Sequence, residues 1–195
     1  MQRGPSMFMM LLGLVIFIGT HLVSTRPALR ASLVGQVGEG PYKGFYSLLA
    51  LSGLLLTGYG YGLWRAAGPA ILWTPPYQLR HLTMGLMLIA AICLVAAYVP
   101  SHIKAWLKHP MLVGVKVWAL AHFLVKGDAA SMTLFAVVLA WAVYDRISVK
   151  RRGLPLPVAP SGWTGDLAAV AGGVVLYLFL VFVFHPYVVG VPVMG

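Results

Sequence analysis

The chain has 195 residues, of which 60% are hydrophobic and only 9% charged, with a formal net charge of +10. Soluble domains carry roughly 25% charged residues, so this composition excludes a water-exposed globular surface and makes lipid the natural solvent. The basic residues sit in short segments between apolar runs, where they act as topology signals and anchors for anionic headgroups rather than as a nucleic-acid surface.

In chain order, residues 4–25 carry no charge, and a first span is predicted over 6–25. No small-residue cleavage site follows it: His21 is followed by Ser24-Thr25-Arg26-Pro27, which reads as a retained helix. Residues 44–64 are again free of charge and give a second span over 45–63. Pro75-Pro76 precedes a third span over 80–99, which Pro100 closes. Pro110 stands at the start of a fourth over 110–125, where its missing N–H costs nothing. That stretch is interrupted by Lys116 alone. Gly127-Asp128 is a turn signal, and Asp128 is placed to cap the fifth span, over 130–146. The segment Gly153 to Gly162 carries Pro155, Pro157 and Pro160 and reads as an extended loop. A sixth span follows over 167–186. The expected fold is all-α: one membrane domain over 1–195, a polytopic bundle of about six spans.

Orientation follows from the Lys and Arg count. The connections after spans one, three and five hold nine (Arg26, Arg30, Lys43, Lys104, Lys108, Arg146, Lys150, Arg151, Arg152). The N-terminus and the connections after spans two and four hold four (Arg3, Arg65, Arg80, Lys126). The odd connections are therefore expected in the cytoplasm and both termini on the periplasmic side.

The single cysteine, Cys93, lies in an apolar run and reads as a small core residue. Without CxxC or CxxCH, covalent haem attachment and a thiolate zinc site lack their ligands. The four carboxylates are not paired within a span, and there is no nucleotide-binding or nucleophile-elbow motif, so difficult chemistry would need a cofactor.

Six histidines are the main chemical lead. Ionisable groups at membrane depth are expensive and mark functional sites by default. His21 lies deep in span one and His122 deep in span four. A neutral imidazole offers one lone pair and one N–H, which suits haem iron or another transition metal. Gly13 and Phe17 stand at i−8 and i−4 from His21; Gly114 and Trp118 stand likewise before His122. Each face thus has a vacancy two turns away and an aromatic one turn away, a pattern that could admit a flat macrocycle. On spacing alone the plainer reading is favoured, in which the glycines mark close helix crossings and the aromatics fill gaps. His109, before Pro110, is the strongest of the remaining four; His81, His102 and His185 read first as headgroup contacts. Arg26 and Arg30, at i and i+4, could hold haem propionates or lipid phosphates, or only set topology.

Several blocks together carry a resemblance: His21-Leu22 followed by Arg26-Pro27-Ala28-Leu29-Arg30; Gly38 to Gly44; Arg80-His81-Leu82; Lys108-His109-Pro110-Met111-Leu112-Val113-Gly114; Val117-Trp118-Ala119-Leu120-Ala121-His122; and Gly127-Asp128. Over nearly its whole length the chain resembles the NnrU family, bacterial membrane proteins associated with nitrite and nitric oxide reduction. The family is also similar to the plant zeta-carotene isomerase, which uses non-covalent haem b. The resemblance implies haem b with His21 and His122 as axial ligands, a role for His109, and residence in the bacterial inner membrane. The implied functions are a haem protein serving denitrification or a haem-dependent cis-trans isomerase of a carotenoid-like polyene; a cofactor-free assembly protein stands beside them. The implied partners are membrane lipids, haem, and either a lipophilic polyene or denitrification proteins. By the expected orientation His21 lies in the cytoplasmic half of its span. His122 is ~18 Å along a helix that starts on that side, at 1.5 Å per residue. The two meet if span one tilts; otherwise His21 and His109 are the better-matched pair.

Overall fold

The computed structural model describes residues 3–153 and 155–193; Met1, Gln2, Leu154, Met194 and Gly195 lie outside the described residues. About four-fifths of the chain, 79%, is helical: α1 (Arg3–Ser24), α2 (Pro27–Val37), α3 (Glu39–Ala66), α4 (Leu79–Ala96), α5 (His102–Leu107), α6 (Pro110–Val125), α7 (Ala129–Arg152) and α8 (Thr164–Phe179), the last continuing as a π-helix over Leu180–Val189. No strand occurs among the described residues, and an isolated antiparallel bridge joins Ile71 to Asp128. Four helices are long and apolar enough to cross a membrane: Gly4–Ser24, Leu79–Ala96, Ala129–Arg152 and Thr164–Val189. The apolar α6 is shorter. The connections after the first and third expected spans contain helices, α2 and α5.

The chain divides into two compact units, Met1–Trp73 with Gly127–Trp141, and Thr74–Lys126 with Ala142–Gly195. α7 contributes its first half to one and its second half to the other.

In the first unit α1 and α3 run antiparallel and touch backbone to backbone. A Cβ on Gly13 would collide with the Thr57 backbone nitrogen, and one on Gly60 with that of Met10. One on Gly53 would stand 2.7 Å from the Phe17 nitrogen. The buried residues of α3 are Gly53, Thr57, Gly60 and Trp64, spaced by four, three and four along one face. Its outward residues include Leu48, Leu51 and Leu55, all exposed. Small and polar groups inside, leucines outside, is the arrangement of a helix whose solvent is hydrocarbon. The Thr57 hydroxyl donates to the Gly53 carbonyl at 2.7 Å and so is satisfied within its own helix.

α7 joins this pair through a polar chain. Asp128 caps it as expected: Oδ1 accepts from the Ser131 backbone N–H at 2.9 Å and Oδ2 from the Ser131 hydroxyl at 2.7 Å. With its proton committed to the carboxylate, the fully buried Ser131 oxygen accepts from Tyr61 at 2.8 Å. The Arg65 guanidinium lies 5.6 Å over the Tyr61 ring.

In the second unit α4 lies between α6 and α8, antiparallel to both. Its buried positions, Ala90, Ala91, Cys93 and Ala96, are all small. Gly114 of α6 packs on Ala90 and Leu94. Gly173 of α8 packs on Ile92, and Gly165 on the Pro100 carbonyl. The Thr83 hydroxyl at the start of α4 donates to the Ala121 carbonyl near the end of α6. Pro110 occupies the first turn of α6, as its sequence position implied. At the far end of the unit Asp166 fastens α8 to α5. Its carboxylate accepts from the backbone N–H groups of His102 and Ile103 and from His102 Nδ1, at 3.2, 2.9 and 2.8 Å.

These crossings predict a sharp contrast between glycines. Gly173→Val places its side chain against Ile92 Cα, 2.6 Å from where a Cβ would sit. It should destabilise the protein by at least the 1–3 kcal/mol typical of overpacking, or about that much. Gly62→Ala meets nothing within 4 Å and should be neutral or slightly stabilising through helix propensity. Thermal unfolding of both variants in one detergent checks the pair.

Candidate functional site

Three of the six histidines are held in the same way. His21 Nδ1 lies 2.8 Å from the Phe17 carbonyl, His122 Nδ1 2.9 Å from that of Trp118, and His185 Nδ1 2.7 Å from that of Leu180. A carbonyl oxygen has no proton to give, so in each case Nδ1 carries the hydrogen and donates. Nε2 is then the nitrogen with the lone pair. Fixing one ring nitrogen on a backbone carbonyl is how metal-binding histidines are commonly oriented and made more basic.

His122 and His185 are brought together. Their rings are 6.2 Å apart, centre to centre, and nearly parallel at 12°. His122 comes from the last turn of α6. His185 comes from the π-helix, where its Nδ1 reaches back five residues rather than four. Pro186 follows it and supplies no backbone N–H, and the helix loosens through this stretch. π-helical turns are frequent at functional sites.

His21 stands in the first unit inside an aromatic cage. The Phe17 ring is 4.2 Å away, Trp141 5.2 Å and Tyr46 5.6 Å, the last two edge-on. The Trp141 indole N–H is buried without a hydrogen-bond partner. The aromatics expected one turn before each histidine are in place, with Trp118 5.4 Å from His122. The vacancies expected two turns before are not. Gly13 is filled by α3 and Gly114 by α4, because in a packed bundle a missing Cβ draws in a neighbouring helix.

His109 caps α6, its carbonyl accepting from the Val113 N–H at 3.2 Å. Burial and the nearby Arg146 guanidinium hold its pKa below the usual histidine value, opposed by Asp145. Asp145 pairs with Arg152 at 3.8 Å. Arg26 and Arg30 part company. Arg26 precedes the first turn of α2 and is exposed, whereas the Arg30 guanidinium lies 5.6 Å over the Tyr42 ring. His81 meets Tyr77 edge-on, and His102 stacks on Trp163 at 4.2 Å.

All-helical, with four helices fit to cross a bilayer and imidazoles fixed along apolar helices, the chain is a membrane protein. It belongs to the NnrU protein family, whose model matches residues 9–193. No curated protein and no solved structure matches it.

A pH dependence follows from His109. A depressed pKa means that the folded state binds its proton less readily than the unfolded chain. Stability is therefore unaffected above the ordinary value of 6.5 and declines as pH falls below it. His109→Gln should flatten this part of the stability profile between pH 7 and 5, measured as melting temperature in detergent against the parent protein.

Proposed function

We propose that this protein is a haem-b-binding, multi-pass protein of the bacterial cytoplasmic membrane, with His122 and His185 as the axial pair. The observation that carries the reading is the geometry of those two rings. The rings stand 6.2 Å apart and nearly parallel, with both Nδ1 atoms committed to carbonyls, so this pair would offer two Nε2 donors from neighbouring helical segments. The donor chemistry fits too: two neutral imidazoles are a usual ligand set for haem iron. A haem held there would supply one-electron chemistry and a site for a small ligand such as nitric oxide. The chain's own contribution is to hold both rings through their Nδ1 atoms and surround them with apolar helix.

Six crossings are part of the reading. The small-inside, leucine-outside face of α3 supports its being a span, and the high apolar content of α6 supports a second short one. Arg80, at the start of α4, donates to the Val193 carbonyl at 3.1 Å. The C-terminal end therefore lies at the same end of its unit as the connection after the second span. That favours both on the periplasmic side, where the lysine and arginine count puts them. A role in nitrite and nitric oxide reduction rests on the family.

The test is an optical spectrum and haem stoichiometry of protein purified in mild detergent. The parent should carry about one haem b per chain, with sharp low-spin bands on reduction. His122→Ala and His185→Ala should each lose haem by more than the roughly 10–100-fold that removal of an outer-shell partner costs. His21→Ala should retain it. Loss in His21→Ala with retention in His185→Ala would overturn this pair, and a colourless parent that takes up no added haem would overturn the cofactor.

A further inference from the structure

A small cavity of about 170 Å³ in the first unit is lined by Ser24, Arg30, Tyr42, Lys43, Tyr46 and Ser47. We infer that it is a binding site for the phosphodiester of an anionic phospholipid. The inference does not depend on the haem reading.

Position comes first. The α1 sequence is free of charge from Gly4 to Thr25, and Ser24 ends that helix. The cavity therefore lies where the hydrocarbon-compatible stretch stops and the first cations begin, which is headgroup depth. Tyrosines are favoured there because an apolar ring and a polar hydroxyl can each face their preferred solvent. By the basic-residue count this is the cytoplasmic connection between the first two spans.

The lining is suited to one ligand chemistry. Its lining residues carry two cations and four hydroxyls and no carboxylate; the Ser24 hydroxyl donates to the His21 carbonyl at 2.7 Å, leaving its oxygen as an acceptor. The nearest carboxylate, Glu39, is held by Lys43 at 2.9 Å, one turn along α3. Arg30, Lys43 and Glu39 together leave one positive charge, which matches the single negative charge of a phosphodiester. Arg30 is steadied over the Tyr42 ring, and a guanidinium fork pairs with two phosphate oxygens at once. The volume selects as well. Pockets for drug-sized molecules run from roughly 300 to 1,000 Å³; this open cleft is smaller, and a phosphate group fits within it. Exposed leucines at Leu29 and Leu48 on the adjoining helices leave apolar surface along which acyl chains can lie.

The test uses the full chain in nanodiscs of phosphatidylcholine with increasing phosphatidylglycerol, with retained lipid counted by native mass spectrometry. The parent should keep one phosphatidylglycerol selectively. Arg30→Ala with Lys43→Ala should weaken that retention about tenfold or more, the effect expected of two interfacial cations. Arg30→Lys, which keeps charge but not the fork, should show a smaller loss and guards against misfolding of the double variant. Lys150→Ala with Arg151→Ala removes equal charge elsewhere and should leave retention unchanged. An equal loss there would mean diffuse attraction and overturn the site. Displacement of the lipid by millimolar inorganic phosphate would reassign the pocket to a soluble anion. A fall in haem content in the Arg30/Lys43 variant would reassign it to the carboxylates of the cofactor.

Discussion

Helices in hydrocarbon gain little by burying apolar side chains against each other, since lipid tails are equally apolar. What remains is close van der Waals contact, and that depends on how near two backbones can come. Gly13 against Thr57, Gly60 against Met10 and Gly53 against Phe17 bring α1 and α3 to that limit. Gly114 and Gly173 do the same for α6 and α8 on α4. The candidate site histidines inherit their positions from these contacts. His122 stands two turns beyond Gly114, and Phe17, which supplies the carbonyl for His21, is itself the residue seated on Gly53.

Within that frame the polar groups are settled locally. The Thr57 hydroxyl and the Nδ1 atoms of His21, His122 and His185 each donate to a carbonyl of their own helix segment. No distant partner has to be kept in register, and the cost of burying an amide-like group is met within one turn. Two carboxylate-centred chains reach further, as do the Thr83 hydroxyl to the Ala121 carbonyl and Arg80 to the Val193 carbonyl. Tyr61, Ser131 and Asp128 tie α3 to α7, and Asp166 ties α8 to α5. Both sit near helix ends, where unsatisfied backbone N–H groups give a carboxylate something to bind.

Much of this was legible in the sequence. Charge-free windows fell within or close to the apolar helices, although α3 begins six residues before its expected span and α7 runs six residues past its own; Pro110 and Asp128 marked helix starts, and the blocks around His109 and His122 pointed to the family. Other features were hidden for identifiable reasons. The apolar content of α3 is diluted by the small and polar residues of its packed face, so it looks less like a span than its leucine face implies. Gly114 reads as a vacancy on a helical wheel, but a wheel does not show the neighbour that fills it. His185 was ranked with interface histidines because it stands near the expected end of span six; a 3.6-residue period would put Val181 behind it, whereas the π-helix puts Leu180 there. Only Pro186, one residue on, hinted at an altered register. Trp141 and the pairing of His102 with Asp166 had no signal at all, since both depend on which helices become neighbours.

The π-helical end of α8 has a consequence for the lineage of this chain. Such a turn is an α-helix that has accommodated an extra residue. Each α-helical residue advances the wheel by about 100°. A deletion of one residue between Leu180 and His185 would let the segment relax into an ordinary helix and swing the imidazole well away from α6. Substitutions along the outer wall can drift under this arrangement, whereas a change of length there cannot be absorbed. Among descendants of a common ancestor that keep the two facing imidazoles, the spacing of this segment should vary less than its residues do.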